Sequence, residues 1–263
     1  MQIKLFKKTS IMAILALMLI NTYADDNTIP KLDKTTALTE QLLDNLWQNR
    51  EDTTNQKLIA DYLLTEPNVP KNYAISWKTA RLVTFIGNYG VGEDRFVKTS
   101  EGAKLFKYGY TAGQQAQELN PSGIEGIYWY AVDLGAYGLA KGLLSAAVNA
   151  KAGIKALQKA QQINPSYDGY GSYRILGRYY QELPGFLGGD KKTAKDLYIQ
   201  AVTKDPGYRN NWVFLGQYYI VMKQWDDALK ACQKALGLPG EVGKYEDMRY
   251  TNEAKECISK AHD

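Results

Sequence analysis

Trp212-Val213-Phe214-Leu215-Gly216-Gln217-Tyr218-Tyr219, followed by Ala228, Cys232 and Ala235, decides how this chain is read. Trp212, Leu215 and Tyr219 recur at i, i+3 and i+7 and so share one face of a helix. Ala228, Cys232 and Ala235 do the same on a second helix. Gly216 and Ala228 are small where two antiparallel helices must approach closely, and the aromatic residues fill the space beside them. One such pair leaves an apolar face uncovered. It therefore implies neighbours of the same kind stacked on either side.

The neighbours are present. Tyr173, Leu176, Gly177 and Tyr180 repeat the first helix, and Ala194, Tyr198, Ala201 and Pro206 repeat the second. Together the units have the W-x2-L-G-x2-Y spacing of a tetratricopeptide repeat. Second-helix endings recur upstream as Leu157-Ala160-Pro165, as Ala116-Pro121 and, more weakly, as Ile59-Tyr62-Pro67. The terminating prolines Pro67, Pro121, Pro165, Pro206 and Pro239 stand 54, 44, 41 and 33 residues apart. Only the last step approaches the standard repeat of about 34 residues. The earlier units therefore hold insertions, one between Pro184 and Asp190 and another expected between Asn88 and Ser100. Leu38, Leu42, Leu43, Leu46 and Trp47 form an amphipathic helix that pairs with a second from about Thr54 to Leu64. After Pro239-Gly240, Tyr245, Met248, Ala254 and Ile258 sit among charges, as in a capping helix. The expected organisation is a leader over 1–24, an N-terminal helix pair over 25–70, degenerate repeats over 71–240 and a capping helix over 241–263. The expected fold is an all-α, right-handed, tetratricopeptide-like solenoid of four to five helix pairs plus the cap.

Composition then limits the chemistry. Among 263 residues there is one histidine, His262, next to the last residue. Ser-His-Asp, Cys-His and HExxH mechanisms have no positioned histidine to use. Two cysteines cannot build a four-cysteine zinc or iron-sulfur site. No catalytic residue, metal or cofactor is expected. The formal charge of +4 comes largely from Lys4, Lys7 and Lys8. These precede the apolar run Ile11 to Ile20 and Thr22-Tyr23-Ala24, the pattern of a secretory signal cleaved after Ala24. The run is too short for a bilayer span of about 20 residues, so no stable membrane insertion is expected after cleavage. Without those lysines the balance is near +1, which leaves no basic stripe for nucleic acid. A periplasmic or secreted location follows. There Cys232 and Cys257 are either a disulfide or two small buried hydrophobes in adjacent helices, and spacing alone leaves both open.

Several blocks go beyond a generic repeat: Ser76 to Leu82, Gly123 to Gly135 with Tyr128-Trp129-Tyr130-Ala131, and Leu176 to Asp190 with its Pro184-Gly185-Phe186-Leu187-Gly188-Gly189 loop. From about residue 36 to 237 the chain resembles bacterial exported tetratricopeptide proteins. That group resembles the T-component of TRAP transporters and has a layout similar to the regulator-of-microtubule-dynamics family. The resemblance implies a periplasmic helical-repeat protein without catalysis. In its narrower form it implies a transporter accessory, with a substrate-binding protein as partner and a cavity for a small acidic or hydrophobic ligand. The chain departs from the T-component pattern in lacking a cysteine for lipid attachment near the cleavage point.

First helices of such arrays line a concave groove. Projection of the groove positions selects Lys78, Trp129, Asp133, Arg174, Arg178 and Gln217 to meet a protein or peptide partner. Arg174 and Arg178 lie four apart on one face, where two guanidinium forks can clamp a carboxylate. Alternatively they pair with Asp133 or Glu182 as a structural network. Tyr128, Trp129 and Tyr130 cannot share one side, since successive helical residues differ by about 100°. Tyr128 is expected in the core and Trp129 in the groove, with a ligand cavity, if one exists, near Trp129 and Tyr137. Gly188-Gly189-Asp190 reads as a helix cap rather than a phosphate cradle. The Gly87 to Asp94 stretch lacks the GxGxxG spacing of a dinucleotide site.

Overall fold

Five prolines follow the ends of outer helices, and the residue before most of them shows how each helix is stopped. We describe residues 29–89, 99–240 and 244–262 in a computed structural model, whose regular structure among these residues is entirely helical. A short pair, α1 (Glu40–Gln48) and α2 (Thr53–Leu63), precedes four longer ones. These are α3 (Tyr73–Tyr89) with α4 (Ser100–Leu119), α5 (Ile124–Lys141) with α6 (Leu143–Ile163), α7 (Tyr167–Glu182) with α8 (Lys191–Lys204), and α9 (Arg209–Val221) with α10 (Trp225–Leu236). A last helix, α11 (Lys244–His262), completes the described chain. The leader and the segment holding most of the expected insertion after Asn88 lie outside the described residues.

Helices α4, α6 and α8 end alike. Asn120, Asn164 and Asp205 each precede a proline and are extended, because the proline ring disfavours helical backbone in the residue before it. Each side chain then accepts a hydrogen bond from the backbone N–H two residues on, at Ser122, Ser166 and Gly207. This Asx turn redirects the chain into the next inner helix. At the other ends, Thr39, Asp52, Thr99 and Asp190 cap α1, α2, α4 and α8 by accepting from free backbone N–H groups of the first turn. Asp190 accepts from Lys192 and Thr193, so the glycine-rich loop ends in a cap.

Consecutive helices pack antiparallel, and α3, α5, α7 and α9 form the inner layer, with α4, α6, α8 and α10 outside. The core runs through the stack in contiguous groups. One joins α1 to α5 around Leu46, Phe85 and Phe106; the next joins α5 to α8 around Tyr128, Leu157 and Tyr179; the last ones centre on Tyr198 and Val213. Burying side chains of this size contributes about 1.5–3 kcal/mol each. Tyrosine serves where a large residue must also satisfy a polar tip. Tyr62, Tyr108, Tyr179 and Tyr218 donate to the carbonyls of Thr36, Pro67, Ala131 and Lys191, each on another segment.

Helix α11 does more than cover an apolar end. Tyr250, Ala254 and Cys257 pack against α9 and α10, while the start of α11 reaches back to α3. Cys257 forms a disulfide with Cys232, 25 residues earlier on α10. A methyl group on Gly216 would overlap the Cys232 sulfur, so this glycine makes room for the bridge. The array curls until its last helix meets its first long one.

Candidate functional site

That return narrows the concave groove to a chamber of about 590 Å3 that stays partly open to solvent. The inner helices supply its walls at the positions a helix period dictates. From α5 come Trp129, Val132, Ala136 and Leu139, spaced 3, 4 and 3 apart; from α11 come Glu246, Arg249, Tyr250 and Glu253, spaced 3, 1 and 3 apart. Helix α3 adds Arg81, Thr84, Phe85 and Asn88, α7 adds Arg174, Ile175 and Arg178, and Trp47 of α1 closes one corner.

The floor is a buried polar network. Helix α7 opens with three residues in the left-handed region, Asp168 at φ 53°, Gly169 at 55° and Tyr170 at 62°. Two of them carry a Cβ, at a cost of about 1–2 kcal/mol each. Arg174, 3% exposed, holds this turn. Its Nη1 donates to the Gly169 carbonyl at 2.9 Å and to Asn211 Oδ1 at 2.8 Å. Its Nη2 donates to the Asp168 carbonyl at 3.1 Å and to Asp168 Oδ2 at 2.9 Å. The buried Tyr128 hydroxyl donates to the same carboxylate oxygen. Burial is the strongest single influence and opposes the charge of Arg174, but the Asp168 carboxylate together with Tyr208, Tyr128 and Tyr250 outweighs it and keeps the guanidinium protonated above its ordinary range. Burial, then the Asp168 charge, pushes the Tyr128 phenol well up, so it stays a donor. Gly169 is required twice over, by its φ and by the Tyr208 ring that a Cβ there would strike.

One rim is a belt of hydrogen bonds crossing four helices. Arg178 Nε meets Glu182 Oε1 at 2.8 Å, and its Nη1 donates to Gln217 Oε1 at 3.3 Å. Gln217 Nε2 donates to Glu253 Oε2 at 2.8 Å, and Arg249 Nε donates to Glu253 Oε1 at 2.5 Å. Arg249 Nη1 then donates to the Asn88 carbonyl at 3.3 Å. The belt so runs from α7 through α9 and α11 to α3.

The opposite corner is aromatic. The Arg50 and Arg81 guanidinium carbons each lie 3.8 Å from the Trp47 ring centroid, and Arg81 is also 4.8 Å from that of Trp77. Arg50 donates to the Trp47 carbonyl and approaches Glu51 at 3.4 Å. Arg81 bonds no carboxylate among the described residues, and its buried Nε has no hydrogen-bond partner. Burial lowers its pKa, as expected for a cation with little local compensation. Across the chamber, burial pushes the Glu246 carboxyl up to about 7, against a smaller opposing pull from Arg50.

Of the residues selected from sequence, Trp129, Arg174, Arg178 and Gln217 come together at this chamber. Arg174 is not free to clamp a partner's carboxylate, because its fork is spent on Asp168, Gly169 and Asn211. The structural partner is Asp168 rather than Asp133. Lys78 and Asp133 are elsewhere. Lys78 Nζ meets Asp44 at 2.7 Å and Glu40 at 3.7 Å, because α1 packs over that part of α3. Asp133 lies about 100° round α5 from Val132 and faces α3 and α4, wholly buried. Thr84 donates to its Oδ1 at 2.7 Å, its Oδ2 has no partner, and burial raises its pKa well above the carboxylate range despite the Thr84 bond. Tyr137 also sits off the chamber, edge-on to Tyr110 at 5.3 Å. Trp129, half-buried, donates from Nε1 to the Tyr167 hydroxyl at 3.0 Å. The sequence reading missed Trp47, Arg81 and the α11 stripe. The stripe had a signal in Glu246, Arg249 and Glu253 at i, i+3 and i+7, the spacing of one face.

The sequence profile described as "Regulator of microtubule dynamics protein 1-3" matches residues 40–204. The chain belongs to that family. In regulator-of-microtubule-dynamics terms the match takes in α1 through α8, so α9, α10, the disulfide and α11 lie beyond it. Among curated proteins no significant relative is found. Among solved structures, TTC0263, a thermophilic tetratricopeptide protein in Thermus thermophilus, aligns over 84% of this chain and all of its own, with TM-score 0.58 and 17% identity. That likeness shows the helical-repeat fold. A structure of MamA aligns over 60% of this chain and 86% of its own, with TM-score 0.39 and 20% identity.

Proposed function

We propose that this protein is an exported binding protein, not an enzyme, and that it holds its guest in the partly open chamber between its inner helices rather than along the whole length of its concave face. The observation behind this reading is the return of α11 to α3, which borders a partly open chamber of about 590 Å3 between the inner helices. Small-molecule sites span about 300–1,000 Å3 and combine apolar walls with a few placed polar groups. The chamber has both. A scaffold that lays an extended peptide along its concave face needs that face open, and here α11 crosses it.

Export is proposed on the leader pattern before Ala24 and is supported by the Cys232–Cys257 disulfide, a bond that suits an oxidising compartment. The transporter-accessory reading, with a substrate-binding protein as partner, fits a chamber better than it fits a groove. The direct test is a thermal-shift screen of small acids, bases and neutral aromatics against the wild type and Ala136→Trp, which fills the chamber. Compounds that raise Tm in the wild type but not in the variant are expected. A screen in which no compound distinguishes the two proteins would sink the chamber reading.

A further inference from the structure

Among the described residues four guanidinium groups line the chamber, and three of them are paired with carboxylates. Arg174 is paired with Asp168, Arg178 with Glu182, and Arg249 with Glu253. Arg81 differs. It faces the chamber from α3, lies 3.8 Å from the Trp47 ring centroid and 4.8 Å from that of Trp77, and bonds no carboxylate among the described residues. Its Nε is buried without a partner; that of Arg174 is too, but both terminal nitrogens of Arg174 are bonded. A buried donor left unmade is costly, and more so on a charged group, so the site gains when an acceptor arrives. Arg50, on the same Trp47 ring, adds a second positive charge. Contact with two indole rings confines the guanidinium, which lowers the ordering cost that a flexible cation would incur. Beyond Arg81 the wall turns apolar through Phe85, Trp129, Val132 and Ala136.

We infer that Arg81 is the anchor for a carboxylate attached to an apolar body, the planar fork taking the two oxygens and the aromatic wall taking the body. The proposal rests on the chamber reading above. Carboxylate is favoured over a compact point anion because a guanidinium offers two parallel donors that match its oxygens. A free organic acid and the C-terminus of a peptide ending in an apolar residue share this chemistry.

Four probes separate these sources: indole-3-acetate with its amide, and N-acetyl-Ala-Trp as free acid and as C-terminal amide. Calorimetric titration of the full chain should show at least one acid binding about tenfold or more tighter than its amide. Arg81→Gln should remove that preference while leaving amide binding in place, and Arg178→Gln should keep it. If Arg81→Gln does not fold, Arg81→Lys serves: it retains charge without the fork and should lose most of the preference. Preference confined to the indole pair or to the peptide pair tells which source fits. Equal binding of acid and amide overturns the anchor and leaves the chamber reading standing. An acid preference that survives in folded Arg81→Gln, or no binding by any of the four, also overturns it. The screen against Ala136→Trp decides the chamber independently.

Discussion

The two walls of the chamber are built from the same residue types and behave differently. On α7, α9 and α11 the guanidinium groups and carboxylates bond one another, and the result is a floor and a belt that hold helices together. On α1, α3 and α5 the one chamber guanidinium rests on indole rings and bonds no carboxylate among the described residues. Charge in a cavity is thus no guide to ligand contact by itself. What matters is whether the hydrogen bonds are already taken.

The comparison can be broken most forcefully at the floor. Asp168→Ala should leave Arg174 buried without its counter-ion and the left-handed turn without its tie, a loss of about 3–5 kcal/mol. Chemical denaturation should show it as a lower midpoint, and an unchanged midpoint would mean that this wall is not the structural one. The disulfide comes next. Cys232→Ser with Cys257→Ser should cost about 3 kcal/mol. Hydrogen exchange should rise in α11 before it rises in α5.

A milder lever is pH. Burial raises the Glu246 carboxyl to about 7 from an ordinary 4.5, so the folded protein holds this proton more tightly than the unfolded chain. Its contribution is fully present below about pH 4.5 and is lost as pH rises through 7. Stability should fall by about 2 kcal/mol over that interval once solvent screening is allowed for. Melting of Glu246→Gln across pH 5 to 8 should lack that component of the slope. The smallest effect is expected at the belt, where Arg178→Gln trades a half-exposed ion pair for about 1 kcal/mol or less. It should leave the midpoint nearly unmoved while speeding exchange at the α11 start. A large loss there would blur the distinction between floor and rim.

The repeats were legible because their signals are local. Leu215, Gly216 and Tyr219 report a helix-helix contact wherever they occur, and Pro121, Pro165 and Pro206 mark real helix ends. The Asn or Asp before each proline was equally visible, and it explains the turns better than the proline alone. The chamber was less legible because it depends on curvature. Trp129 was correctly separated from Tyr128 by helical phase. Asp133, only one position on from Val132, fell on the buried side, and Lys78 was claimed by α1, a short helix whose docking no repeat rule fixes. Arg174 had the right place and the wrong availability. Its partner Asp168 belongs to a left-handed turn that no helical pattern reveals. The role of α11 was the largest gap, since a capping helix is normally asked only to cover an apolar end.

The reach of α11 to Asn88 also changes how the array should come apart. An open solenoid is a row of units coupled to their neighbours, and it frays from its tips. Here α11 also meets α3, so the C-terminal helix is not a free tip, whereas α1 and α2 still precede α3 at the other end. Opening the C-terminal end breaks contacts with α3 as well as with α9 and α10, which should make unfolding more all-or-none than the repeat count suggests. Wider opening of the chamber then requires a rupture of that return, and the belt is the place where such a rupture is cheapest.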